Sequence, residues 1–181
     1  MKLFKCQGYN LTISEEAYML EPFKKIWKRD KSKNKEQALA ELAYIYFMED
    51  TRSDYQVYID REERSKQVKL GEGLKESWKP DKVVQDAQVF YASFKTESAL
   101  LLEDIRVAIT KLREFIKTID LSATDDKGKP IYTLNTYTAT IKQIPELITS
   151  LDEAERTIAK EVIGQDKVRG SIEKAMFEDD L

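Results

Sequence analysis

The side chains able to do chemistry are few in kind. The 181-residue chain has no His and a single Cys, Cys6, beside 33 Asp and Glu and 30 Lys and Arg. That excludes a Cys/His zinc site, a Ser-His or Cys-His catalytic pair and an imidazole proton shuttle near neutral pH. An enzyme made from this chain would have to work with carboxylates, Lys, Tyr or backbone groups. The acid pairs Glu62-Glu63 and Glu153/Glu155 stand among basic neighbours on amphipathic segments, where solvated faces far outnumber catalytic carboxylates. Gly71-Glu72-Gly73 opens like a dinucleotide fingerprint, but Glu76 occupies the place of the third Gly and no buried strand precedes it. No Gly-rich loop ends in a phosphate-binding Lys, and Asp125-Asp126-Lys127-Gly128 lacks the alternating oxygen ligands of a calcium loop and reads as a turn. These residues point to a non-enzyme, with no cofactor and no metal.

Charge and apolar patterning suggest contact instead of catalysis. The net charge of -3 gives no global attraction to nucleic acid or to an anionic membrane, so a polyanion contact has to be local. The strongest local feature is the cluster Lys24, Lys25, Lys28, Arg29, Lys31, Lys33 and Lys35, relieved only by Asp30. It could meet a DNA backbone or an acidic protein surface, or it could be a solvated helix end with cations at the negative pole of the dipole. An acidic partner stands on the same chain, at Glu178, Asp179, Asp180 and the terminal carboxylate, which favours a protein contact. The segment after Gly164 and Gly170 also carries Ile172, Met176, Phe177 and Leu181, the composition of a docking arm that orders on a partner. The aromatic residues Trp27, Tyr44, Tyr46, Tyr55 and Tyr58 read as core, whereas Trp78 beside Lys79-Pro80 reads as a possible surface anchor.

The elements that must position these groups are mostly helices. Gly and Pro are sparse and 35% of residues are charged, as in helices with one wet face. Residues 1–13, with Leu3, Phe4, Leu11 and Ile13 around Gly8, are expected to be a short strand or extended arm. A helix should start at Ser14-Glu15-Glu16 and run to about Asp30, bent or divided at Pro22. A strongly buried helix follows over about 34–49, then a turn at 51–58 and a charged helix over about 59–70 that Gly71 and Gly73 end. From 81 to 119 there is no Gly or Pro, and Phe94, Ser98, Leu101, Ile105, Ala108, Leu112, Phe115 and Ile119 form a heptad seam. Beyond a turn-rich linker, Tyr137, Ile141, Ile144, Ile148, Leu151, Glu155, Ile158 and Val162 form a second, on which Glu155 is a misfit. The spacing predicts an all-α fold: a helical domain over 1–164, made of an aromatic-rich bundle at 14–78 and a long antiparallel hairpin at 81–163, then a docking arm at 165–181. Absence of a long apolar run or signal-peptide core predicts no membrane partner and a chain that stays where it is made.

The stretch from Trp27-Lys28-Arg29-Asp30-Lys31-Ser32-Lys33 to Ala43-Tyr44-Ile45-Tyr46-Phe47, followed by Asp50-Thr51-Arg52-Ser53, resembles small virion proteins of tailed bacteriophages, especially the crAss-like phages of gut Bacteroidales. The architecture is also similar to head-to-tail adaptor proteins. That resemblance implies a structural virion protein made in the host bacterial cytoplasm: a neck or connector ring subunit between portal and tail, in a ring of about twelve copies joined by heterologous contacts. Its implied partners are copies of itself, the portal and other neck or tail proteins, with incidental DNA contact. The contact residues expected are Ile172, Met176, Phe177, Glu178, Asp179, Asp180 and Leu181 on the arm, and Lys24, Lys25, Lys28 and Arg29 in the cluster. A DNA-associated or regulatory helical protein using the 24–35 cluster is the alternative.

Overall fold

A computed structural model describes residues 3–7 and 10–177, with the backbone alone for residues 7, 10 and 162–177. The fold is mainly helical, as expected. It separates into two compact units, Met1–Lys95 and Thr96–Leu181.

The first unit opens with strands β1, Phe4–Gln7, and β2, Asn10–Ile13, paired antiparallel with Phe4 opposite Ile13. The expected extended segment is thus a hairpin, and it has a reason to be one. Leu3 and Phe4 are buried, and Phe4 meets Phe23, Tyr46 and Tyr91 at ring separations of 5.2–5.7 Å. The helices α1, Glu15–Met19, and α2, Glu21–Arg29, divide at Leu20, because Pro22 suits the first turn of a new helix and not the interior of an old one. Helix α3, Glu36–Glu49, is buried on every side from Glu41 onward. A 3-10 turn, Asp54–Val57, leads to α4, Arg61–Gly71, and then to α5, Lys82–Ala92. Asp60 and Asp81 cap these two helices by accepting from the amides of Glu63 and Val84.

The two glycines that mimicked a fingerprint have steric roles. A Cβ at Gly71 would collide with the Tyr55 hydroxyl, and Gly73 takes a left-handed φ of +67° just past the end of α4.

The second unit is a helical hairpin of α6, Glu97–Thr118, and α7, Leu134–Phe177. The expected unbroken helix over 81–119 is interrupted at residues 93–96, so the hairpin starts at Glu97 and α5 belongs to the first unit. The break needs neither Gly nor Pro: Thr96 accepts from the Ala99 amide and starts a new helix, while Phe94 stacks back on Phe90 at 5.0 Å. The linker turns at Gly128, φ +74°, where Asp125 accepts from the amides of Lys127 and Lys129 as the turn reading requires.

The hairpin seam keeps one of the two expected columns and shifts the other by one residue: Ser98, Ile105, Leu112, Ile144, Leu151 and Ile158 are buried or half-buried as expected, whereas Leu101, Ala108, Ile141, Ile148 and Glu155 are exposed. Ala99, Leu102, Ala154 and Ile158 are its buried centre, with Ile105 and Leu151 packed against them. Leu101 is 55% exposed, Ile141 40% and Ile148 47%. The buried and half-buried columns are Ser98, Leu102, Ile105, Ile109 and Leu112 on α6 and Ile144, Leu147, Leu151, Ala154 and Ile158 on α7. This resolves the Glu155 misfit, since Glu155 lies beside the seam and accepts from Arg106 at 3.0 Å.

The phase is testable by substitution. Ala154→Asp puts an unpaired carboxylate into the buried seam and should unfold the hairpin, seen as loss of helical circular dichroism. Glu155→Ala removes one exposed ion pair and should cost less than about 1 kcal/mol in chemical denaturation. Equal losses in the two variants would restore the original phase.

Candidate functional site

The basic cluster sits where α2 passes into α3, and the structure divides it into inward and outward members. Helix α3 has Lys35 at its N-cap position in a left-handed conformation, φ 55°, with no side-chain cap of its own. Asp30 replaces the cap from eight residues upstream: its Oδ2 accepts from the Ala38 amide at 3.0 Å and its Oδ1 from the Ser32 amide at 2.8 Å. Lys35 turns back, donating to the carbonyl of Asp30 and lying 5.7 Å from the Trp27 ring centre. Arg29 forks between Glu41 on α3 and Asp81 at the start of α5. Arg29 is therefore engaged within the fold, which corrects its assignment to an outward contact. Its partners lie 12 and 52 residues away, beyond what local charge spacing reveals.

Lys25, Lys28, Lys31 and Lys33 are exposed and Lys24 is half-buried. The Arg29–Asp81 pair also brings the α5 start beside them, adding the exposed Lys79 and Lys82, the latter paired with Asp86 at 2.8 Å. Sequence reasoning missed these two lysines, although Asp81 is a readable cap between them.

The C-terminal arm is a continuation of α7. Gly164 and Gly170 stay helical, so 165–177 is not a separate Gly-bounded segment, a correction to the expected boundary. The roughly 1 kcal/mol that each helical Gly costs is small against a helix of 44 residues. The backbone at Ile172, Met176 and Phe177 is helical, while Glu178, Asp179, Asp180 and Leu181 lie outside the described residues. At the α6 N-terminus, Ser98 and Thr96 donate to Glu161 at 2.6 and 3.2 Å. Helix α7 then runs on for sixteen residues, about 24 Å at 1.5 Å per residue.

Trp78 is no surface anchor: it packs against the core edge-on to Tyr44 at 4.9 Å. A buried polar network at the end of α3, which sequence reasoning also missed, is the densest electrostatic feature of the first unit. Glu49 meets Arg61, Lys95 at 3.6 Å and Gln88 at 3.4 Å. Asp50 accepts a bidentate pair from Arg52 at 2.8 and 2.7 Å and the Tyr91 hydroxyl at 2.7 Å. Burial alone would raise the Asp50 pKa, but Arg52 and Tyr91 outweigh it and hold the carboxyl below its ordinary range. Burial, then the Asp50 charge, push the Tyr91 phenol upward, so it stays a neutral donor. Gln56 and Ser53 satisfy nearby carbonyls, donating to those of Asp50 and Phe47. Carboxylates matched to cations in this way hold the 50–58 segment in place. Among the described residues no cluster of three metal-ligating side chains occurs, and no helix is long and apolar enough to cross a membrane.

Set against known protein families, curated proteins and solved structures, the chain matches none.

Asp50→Ala strands the Arg52 charge and the Tyr91 hydroxyl and should cost about 3–5 kcal/mol of stability. Tyr91→Phe should cost about 1.5–3 kcal/mol, both measured by denaturant unfolding. Asp30 is held down to about 2 from its ordinary 3.8, chiefly by the amides of Ala38 and Ser32. Its stabilisation is therefore complete above the unfolded value and disappears as pH falls through about 2, so the deficit of Asp30→Asn should shrink across that window.

Proposed function

We propose that the chain is a non-enzymatic structural protein whose work is assembly, and that its setting is the neck of a tailed-phage particle, as a connector ring subunit between portal and tail. The observation that carries the assembly reading is the α7 extension: sixteen helical residues beyond Glu161, which meets Ser98 at the start of α6, bearing Ile172, Met176 and Phe177 in their sequence. A helix of that length gains little from propensity alone and is stabilised by laying an apolar stripe on a partner surface. The first unit supports the same reading. Its charge-matched core makes a rigid body, and a rigid body is what a repeating subunit needs when one of its surfaces must meet a different surface of the next copy. The phage setting rests on the likeness of the 27–53 segment to small virion proteins; the ring, the portal and the tail come with that likeness.

Deleting 165–181 should leave a folded helical protein that fails to assemble or to enter particles. The folded state is read by circular dichroism and incorporation by the protein content of purified particles. Normal entry of the truncated chain into particles would contradict the reading.

A further inference from the structure

The outward lysines of the first unit form a face drawn from three places in the chain. Lys24, Lys25 and Lys28 stand on α2, Lys31 and Lys33 on the connector to α3, and Lys79 just before α5, brought alongside α2 by the Arg29–Asp81 pair. Five of the six are exposed and Lys24 is half-buried, and among the described residues none of them makes an ion pair or a side-chain hydrogen bond. The acids of the same segments are mostly engaged already. Asp30 accepts from the amides of Ser32 and Ala38, Glu41 and Asp81 share Arg29, and Asp86 holds Lys82. Glu76 is offset by the neighbouring Lys75. What remains is Glu36 in the first turn of α3, and Glu15, Glu16 and Glu21 toward the other end of α2 from Lys28 and the connector. The end of the face around Lys28, Lys31, Lys33 and Lys79 is therefore strongly positive, in a chain whose net charge is -3. Helix electrostatics does not account for it. Lys28 suits the C-terminal end of α2, but Lys33 precedes the N-terminus of α3 and Lys79 and Lys82 flank the cap of α5, where the dipole disfavours cations.

We propose that this face binds the phosphate backbone of duplex nucleic acid without reading its sequence. The inference is carried by the first unit alone and is independent of the assembly reading. Ammonium groups on flexible stems act as point charges that suit a dense array of phosphates. A protein partner is disfavoured by composition, because protein interfaces are poor in Lys and are anchored on aromatic side chains and Arg. Both kinds of anchor are turned away here. Arg29 is held by Glu41 and Asp81, Trp27 lies between Tyr18 at 4.3 Å and Lys35 at 5.7 Å, and Trp78 is edge-on to Tyr44 at 4.9 Å. The same facts select the form of the nucleic acid. Without a free ring to stack on bases, a single strand gains little; without a free guanidinium to fork onto a base edge, sequence is not read. An anionic membrane would call for apolar side chains to enter it, and among residues 21–39 and 79–86 Leu39, 38% exposed, is the one large apolar side chain that is exposed.

The test titrates the full-length chain into a fluorescently labelled DNA duplex of about 24 base pairs and follows anisotropy as a function of salt. With about six phosphates neutralised, the association constant should fall about 10³-fold between about 50 and 200 mM salt, and two duplexes of unrelated sequence should bind within about threefold of each other. Lys28→Gln, Lys31→Gln and Lys79→Gln combined should weaken binding at low salt and reduce that fall to about 40-fold. Lys111→Gln, Lys117→Gln and Lys142→Gln, which remove the same charge from exposed positions of the second unit, should leave both quantities unchanged. Circular dichroism verifies that both triple variants are folded. No binding of the duplex at low salt, or equal losses in the two triple variants, would overturn the inference. So would tighter binding of a single strand of the same length, a strong preference between the two duplexes, or binding of phosphatidylserine vesicles in place of the duplex.

Discussion

The first unit depends on one constraint: α3 is buried on all sides from Glu41 onward and yet carries Glu41 and Glu49 there, with a third buried carboxylate, Asp50, at its C-cap. Removing a carboxylate from water costs several kcal/mol unless a cation and hydrogen bonds meet it. Each acid is met from a different part of the chain. Arg29 of α2 reaches Glu41 and, with its other nitrogen, the cap of α5; Arg61 of α4 and Lys95 after α5 reach Glu49; Arg52 of the following turn and Tyr91 of α5 reach Asp50. The apolar contacts of α3 would tolerate small slides and rotations of its neighbours. The ion pairs do not, and they fix where α2, α4 and α5 end. The basic cluster therefore looks stronger in sequence than on the surface: Arg29 is held by the buried Glu41, and Lys35 turns back onto the Asp30 carbonyl and the Trp27 ring.

The second unit follows a different physical logic. Among the described residues its hairpin buries four, with Ala at two of those positions, while leucines, isoleucines and a valine remain exposed along both helices. Two helices alone cannot cover more than one stripe each, and α6 carries apolar residues on two. The two units thus differ: a self-consistent bundle whose buried charges are matched within it, and a hairpin with apolar surface left exposed and a long α7 extension, the features on which the proposed assembly role rests.

Much of this was legible from the chain itself. Helix existence, the division near Pro22, the turn at Gly128 and the hairpin topology follow from capping residues and period. The seam phase does not, because α6 is apolar in two adjacent columns: Leu101 and Ala108 keep the same period as Leu102 and Ile109. Only contact with α7 selects between them, and on α7 the small Ala154 is the better seam residue although Ile148 looks the stronger hydrophobe. The break at 93–96 was readable in principle from Thr96-Glu97, a cap followed by a first-turn acid, but an uninterrupted apolar period masked it. The network around Asp50 was beyond local reading, since Tyr91 lies 41 residues away in sequence. The form of the 165–177 segment was misjudged, because a long helix absorbs two glycines at modest cost when their backbone does not turn left-handed.

The central proposal is that this protein works by contact between copies of itself through its helical hairpin. Native mass spectrometry of the intact, full-length chain over a series of concentrations tests it most directly. The account predicts a discrete closed oligomer that grows at the expense of monomer as concentration rises. A chain that stays monomeric at every soluble concentration would contradict it.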